Sequence, residues 1–263
     1  MNIFLREMKA YSRSLIIWCA CAFLMVAAGM GKYTAYSSAG AGPIKDLVKQ
    51  LPKSVQSIFG LAFFDVTTLK GYYGVLFLFL VLMATIHAAM LGAGIISKEE
   101  RDKTSEFLFV RPVSRNMVIT GKLSAAFVNI LVFNLVTLLS SIAILGKYSK
   151  GEAVADFIVI LMVGMLALQL IFMLIGSGTA ASSRNPKTAV SVTTGILLTT
   201  FILYEVIDFN SKLEFLKYIT PFKYFDAKNL LSDVGFEPVY IILSAVIAAV
   251  MLGMTFLLYK KRI

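Results

Sequence analysis

Six stretches of this chain are apolar over the length a helix needs to cross a lipid bilayer: 15–31, 72–96, 123–145, 153–181, 189–206 and 239–259. A hydrocarbon core of about 30 Å takes roughly 20 helical residues, and inside it every backbone N–H and C=O must find its partner within the protein. Such segments are helices that pack on one another. Apolar residues make up 58% of the chain and charged residues 15%, with a mean hydropathy of +0.81, whereas a soluble domain carries roughly a quarter charged residues. The expected fold class is an all-α polytopic membrane protein, one transmembrane domain over 1–263 with six spans. The fifth is among the shortest, and the fourth is long enough to tilt. The first follows Arg6, Lys9 and Arg13 as a signal peptide's core would, but it is longer than such a core and five more spans follow it. It is read as retained.

Basic residues orient these spans. The N-terminus (Arg6, Lys9, Arg13), the passage between spans two and three (Lys98, Arg101, Lys103, Arg111, Arg115, Lys122), the turn with Arg184 and Lys187, and the tail Lys260-Lys261-Arg262 share one side in a six-span chain, and every arginine falls there. The positive-inside rule makes that side the cytoplasm, with both termini in it. The net charge of +10 then reflects topology and attraction to anionic membrane lipid rather than a nucleic-acid partner. Cys19 and Cys21 stand two apart in span one, on different helix faces. They suit packing better than a disulfide or a metal pair.

Ahead of span one, Ile3, Phe4, Met8, Tyr11 and Leu15 recur at helical spacing with Arg6, Glu7, Lys9 and Arg13 between them. This pattern predicts an interfacial helix over 1–14 on the cytoplasmic leaflet, with the wet end of span one as the plainer alternative. Between spans two and three runs Ser97-Lys-Glu-Glu-Arg-Asp-Lys-Thr-Ser-Glu-Phe-Leu-Phe-Val-Arg-Pro-Val-Ser-Arg115. Ser97 with Glu100 three positions on is a capping-box pattern. Glu99, Glu100 and Asp102 suit the positive end of a helix dipole, and Pro112 disfavours helical geometry at Arg111. A short helix over about 97–112 is predicted, ending in the apolar turn Phe107–Val110. An apolar turn beside a charged one reads as a docking surface; the alternative is a solvated loop whose phenylalanines dip into the headgroups.

The succession of Gly94-Ile-Ile-Ser-Lys-Glu99-Glu100-Arg101, Lys103-Thr104-Ser-Glu106-Phe-Leu108, Arg111-Pro112-Val-Ser114-Arg115 and Gly121-Lys122 resembles the signature of ABC-2 type transporter permeases. The likeness runs along the whole chain. It includes the amphipathic start, Leu51-Pro52-Lys53 and Phe59-Gly60 in the first outer loop, and Pro221-Phe222-Lys223-Tyr224-Phe225 before the last span. Lys103 departs from the glycine that many relatives carry there. The resemblance implies the permease subunit of an ABC exporter, with the predicted helix acting as a cytoplasmic coupling helix that seats in a separate ATPase subunit. Glu99, Glu100, Arg101, Thr104, Glu106, Phe107 and Leu108 are then the implied ATPase contacts. It further implies two ATPase subunits binding ATP and Mg, a second permease chain forming a homodimer or heterodimer, and a multi-pass place in a prokaryotic plasma membrane. Among the cargoes of the family, an amphiphilic peptide or drug leads.

No phosphate loop stands in the sequence. Lys32, Lys122 and Lys147 each follow a glycine, but none is followed by Ser or Thr. The chain is therefore expected to carry no catalytic residue, cofactor or metal of its own. Paired glutamates also mark CAAX-type intramembrane proteases, yet Thr104 stands where their arginine belongs and His87 is the sole histidine. A secondary transporter or channel working without an ATPase is the remaining alternative; it needs several ionisable groups near the midplane, and His87 is essentially the one offered. His87 and Glu205 are candidates for a substrate path, with helix-to-helix hydrogen bonding as the structural reading of His87. Ala84, Ala88 and Gly92 step by four along span two and suit close helix approach.

Overall fold

The apolar runs set the helices, and the loops between them supply the caps. The computed structural model describes residues 2–38, 41–61, 63–102, 114–149, 151, 153–183, 185–209, 211–231 and 235–262. Among these every regular element is helical: α1 (Ile3–Gly31), α2 (Tyr33–Ser38), α3 (Ala41–Gln50), α4 (Lys53–Ile58), α5 (Leu69–Arg101), α6 (Arg115–Leu145), α7 (Ala155–Ser182), α8 (Pro186–Phe209), a 3-10 helix (Ser211–Tyr218), α9 (Pro221–Tyr224), α10 (Ala227–Leu231) and α11 (Pro238–Arg262). Six of them, α1, α5, α6, α7, α8 and α11, are long and apolar enough to cross a membrane. The six spans expected from sequence are these helices, and all but the fourth are longer than their apolar stretches.

Two expected boundaries differ. The interfacial helix over 1–14 is not a separate element, because α1 runs unbroken for 29 residues, about 43 Å at 1.5 Å per residue. Asn2 caps it by accepting from the Phe4 amide at 3.1 Å. Neither proline nor glycine interrupts the chain before Gly29, so nothing ends the helix near Leu15. Likewise no new helix starts at Ser97. Thr68 caps α5 at its beginning, and the helix continues through Ser97, whose buried hydroxyl donates to the Ala93 carbonyl at 2.7 Å. A serine inside a continuing helix, its hydroxyl turned back to the preceding turn, lacks the non-helical backbone of an N-cap. Lys98 and Arg101 therefore sit in a last turn, where the negative end of the dipole favours them. The remainder of the expected 97–112 helix, residues 103–112, lies outside the described residues.

The bundle is built around α7, the span with the largest buried share, and α5 packs most closely on it. Their crossing depends on absent side chains. A Cβ on Gly92 would stand 2.0 Å from the Met173 carbonyl oxygen, and one on Gly176 would stand 2.5 Å from that of Ala89. The small-residue step of span two thus brings two backbones together as its spacing suggested. Two buried clusters fill the interior. One joins Phe77, Phe133, Phe157, Phe172 and Phe222 in the half away from the termini. The other unites Ile95, Ile96, Ile119, Ala180 and Ala189 with Phe4 and Met8 of α1 and Tyr259 of α11. Both chain termini therefore lie at one end of the bundle.

Candidate functional site

At that end, five charged side chains from three helices meet. The Glu7 carboxylate on α1 takes hydrogen bonds from Arg6 at 2.6 Å and from Lys98 of α5 at 3.0 Å. Glu99 on α5 accepts from Arg6 at 2.8 Å through one oxygen and from Lys122 of α6 through the other. Lys122 also donates to the Ile95 carbonyl. Glu7 and Lys122 have no exposed side-chain surface, and Glu99 is 6% exposed. Three cations and two anions leave the cluster one positive charge in excess. Burying such groups is costly unless each is paired and hydrogen-bonded, and here every member is. The cluster therefore fixes the relative positions of α1, α5 and α6.

These placements revise the expected site. Glu99 turns inward, so its carboxylate is committed to Arg6 and Lys122 rather than offered to a partner. Glu100 is half-buried and Arg101 is exposed at the end of α5, with its Nε donating to Asp102 at 3.1 Å. Thr104, Glu106, Phe107 and Leu108 lie outside the described residues. Glu7, expected on a wet face of an interfacial helix, is instead the buried hub of α1. Arg6, Glu7, Lys98 and Lys122 are members of the cluster that sequence reasoning did not name as site residues. The signals were a lone acid in the first helix and a lysine at the head of an apolar run.

The opposite end carries a second polar knot. Asp208, at the end of α8, accepts from both Lys223 of α9 and Lys228 of α10. Asp226 accepts from Tyr204 at 3.2 Å, from Lys223 at 3.3 Å and from the Lys228 amide at 3.1 Å. The Lys228 ammonium also sits 3.5 Å from the centre of the Phe63 ring, a cation–π contact with the first long loop. Burial works against the charge on Lys223, but Asp226 and Asp208 outweigh it and hold its pKa above the usual lysine range. Glu205 is half-buried one turn before this knot. The charges between spans five and six thus fasten loop helices to α8.

His87 lies in the interior of α5, 4% exposed. Its ring is flanked by Trp18 of α1 at 5.3 Å and Phe133 of α6 at 5.2 Å. Among the described residues no three His, Cys, Asp or Glu side chains group as metal ligands. Neither His87 nor Glu205 joins either charged cluster by a direct hydrogen bond among those described.

Residues 1–262 match the family model described as ABC-2 family transporter protein. No curated protein matches the chain.

Proposed function

Because the chain belongs to the ABC-2 transporter family, in which it is a multi-pass permease subunit associating with an ABC ATPase, we propose that it exports an amphiphilic substrate and receives its motion through the α5 terminus. Two copies, or this chain and a sister permease, pair with two ATPase subunits, which bind the ATP and Mg. The end bearing both termini faces the cytoplasm, which the gathering of Arg6, Arg13, Arg101 and Arg115 at that end supports. The ATPase contact runs from Glu100 and Arg101 through Thr104, Glu106, Phe107 and Leu108. Glu99 has a different part: it ties the contact to the transmembrane helices.

The observation that carries this reading is the double engagement of Glu99, with Arg6 of α1 on one oxygen and Lys122 of α6 on the other. A load applied just beyond Arg101 reaches a point where three helices are joined by buried ion pairs. It moves them as a body, as a rigid-body switch between access states requires. A flexible loop at that place would absorb the push.

Replacing Glu100 and Arg101 by residues of opposite charge, as Glu100→Lys with Arg101→Glu, is expected to abolish co-purification with the ATPase or to leave ATP hydrolysis without transport. The test is affinity capture of the tagged chain followed by hydrolysis and transport in reconstituted vesicles. Unchanged assembly and transport would overturn the assigned contact. Sustained ion flux through the chain reconstituted alone would favour the channel reading.

A further inference from the structure

A slot of about 250 Å³ runs between α1 and α5, with Val190 of α8 on its side. It borders the cytoplasmic charge cluster, since the Lys98 ammonium sits 5.7 Å from the centre of the Tyr11 ring. The two spans are antiparallel across it. Tyr11 stands opposite Gly94, where a Cβ would lie 3.3 Å from the tyrosine oxygen, and Trp18 stands opposite His87, with ring centres 5.3 Å apart. Each of these steps is seven residues, about 10 Å of helix. Arg101 lines the slot a further seven residues along α5 and is exposed, so the slot is about 21 Å long from this mouth to His87.

Its inner end lies below the membrane surface. Arg13 is exposed on α1, and a charge there belongs among headgroups or in water. Trp18 is five residues further on, about 8 Å deeper. Two polar atoms on the slot-lining residues are nevertheless without a hydrogen-bond partner among the described residues: the Tyr11 hydroxyl and Nδ1 of His87, both buried. Such atoms are few in native proteins. Their spacing along the helices puts them beyond the reach of one small ligand head, and Arg101 already gives its Nε to Asp102. Each therefore needs a partner of its own. A hydroxyl can donate or accept, and an imidazole nitrogen does one or the other according to its tautomer; water answers all of these cases. The slot has room for several waters, each taking about 30 Å³ in the liquid. A lipid chain entering past Met90, which is 46% exposed, would leave both atoms unpaired.

We propose that the slot is a water-filled inlet, leading from Arg101 past Tyr11 to His87 and thinning the apolar barrier at that one place between α1, α5 and α8. Its use as an entry for the polar part of a cargo rests on the transport reading above. Its hydration does not.

In a chain with Cys19 and Cys21 replaced by alanine, Ser14→Cys, Leu91→Cys and Ile16→Cys are made separately and purified into phosphatidylcholine nanodiscs. Ser14 and Leu91 line the slot. Ile16 is 67% exposed and, two residues from Ser14, points from another face of α1. A charged methanethiosulfonate, which stays in water, is expected to label the two slot cysteines about tenfold faster than Ile16→Cys or more, because apolar surroundings raise a thiol's pKa and each unit removes nine-tenths of the reactive thiolate. Trp18, the single tryptophan, reads the inner end. Acrylamide should quench its fluorescence, and labelling Ser14→Cys should protect it by filling the slot. Equal or slower labelling of the slot cysteines would overturn the proposal. So would Trp18 quenching that the label leaves unchanged, or quenching by brominated lipid chains but not by acrylamide, which would show a lipid-filled slot. Gel filtration confirms that each variant is folded. The labelling needs neither ATP nor a partner, so failure of the ATPase contact or of export leaves its outcome standing.

Discussion

Glu99 shows how much can rest on one carboxylate. Its two oxygens receive different helices, Arg6 from α1 and Lys122 from α6, and its burial leaves water little access to replace either. Removing one member of a buried pair strands the other, at a cost of about 3–5 kcal/mol. Glu99→Gln strands Lys122, which is wholly buried, and Lys122→Met strands an oxygen of Glu99. Each single variant is expected to unfold at a clearly lower temperature in detergent. The double variant removes both charges and should recover a large part of the loss, because contacting residues do not act additively. Stability of the double variant equal to the sum of the singles would show the two charges to be uncoupled. The same cluster explains why Glu7 escaped sequence reasoning. A charge among Arg6, Lys9 and Arg13 reads as wet when only local spacing is considered, and the Lys98 that draws it inward stands 91 residues away.

At the scale of elements, the α5 and α7 pair depends on backbone contact. The Cβ that alanine would add at Gly92 falls 2.0 Å from a backbone oxygen, which no side-chain rotation relieves. Overpacking of this kind costs about 1–3 kcal/mol or more. Gly92→Ala should therefore lower the unfolding temperature markedly. Gly253→Ala on α11, where nothing lies within 4 Å of the new methyl, should be neutral or slightly stabilising, since alanine constrains a helix that glycine leaves loose. Equal effects at the two positions would contradict the close crossing. The elements most legible in the sequence were these long spans, because apolar length alone specifies a membrane helix and a four-residue step of small side chains specifies its contact. Helix ends were less legible. The capping pattern at Ser97 and Glu100 is satisfied only if the preceding helix stops, and nothing between Ile96 and Arg101 stops it. The serine therefore bonds backwards to Ala93. The polar knot of Asp208, Lys223, Asp226 and Lys228 was hidden for another reason: charges scattered in a loop look solvated until folding brings them onto α8.

Across the whole molecule, charge and packing point to one orientation. Buried contacts gather Phe4, Met8, Ala189 and Tyr259 at a single end, and the exposed basic residues Lys9, Arg13 and Lys187 stand at that end too. Carrying such residues across the bilayer is unfavourable, and in the proposed orientation anionic lipid of the inner leaflet attracts them at about 1 kcal/mol each. The long loops of the opposite end are weakly constrained by their lysines, so they do not oppose this arrangement. The orientation can be read with two reporters placed on exposed sites, Gln50 at the end of α3 and Lys187 near the start of α8. Cys19 and Cys21, both free, are first replaced by alanine, and Gln50→Cys and Lys187→Cys are made separately. In intact cells a membrane-impermeant maleimide is expected to label the first and spare the second until the membrane is permeabilised. The reverse pattern would invert the protein and put the charged end of α5 out of reach of any cytoplasmic motor. Labelling of both in intact cells would break the six-span arrangement, since it would place two ends separated by an odd number of spans on one side.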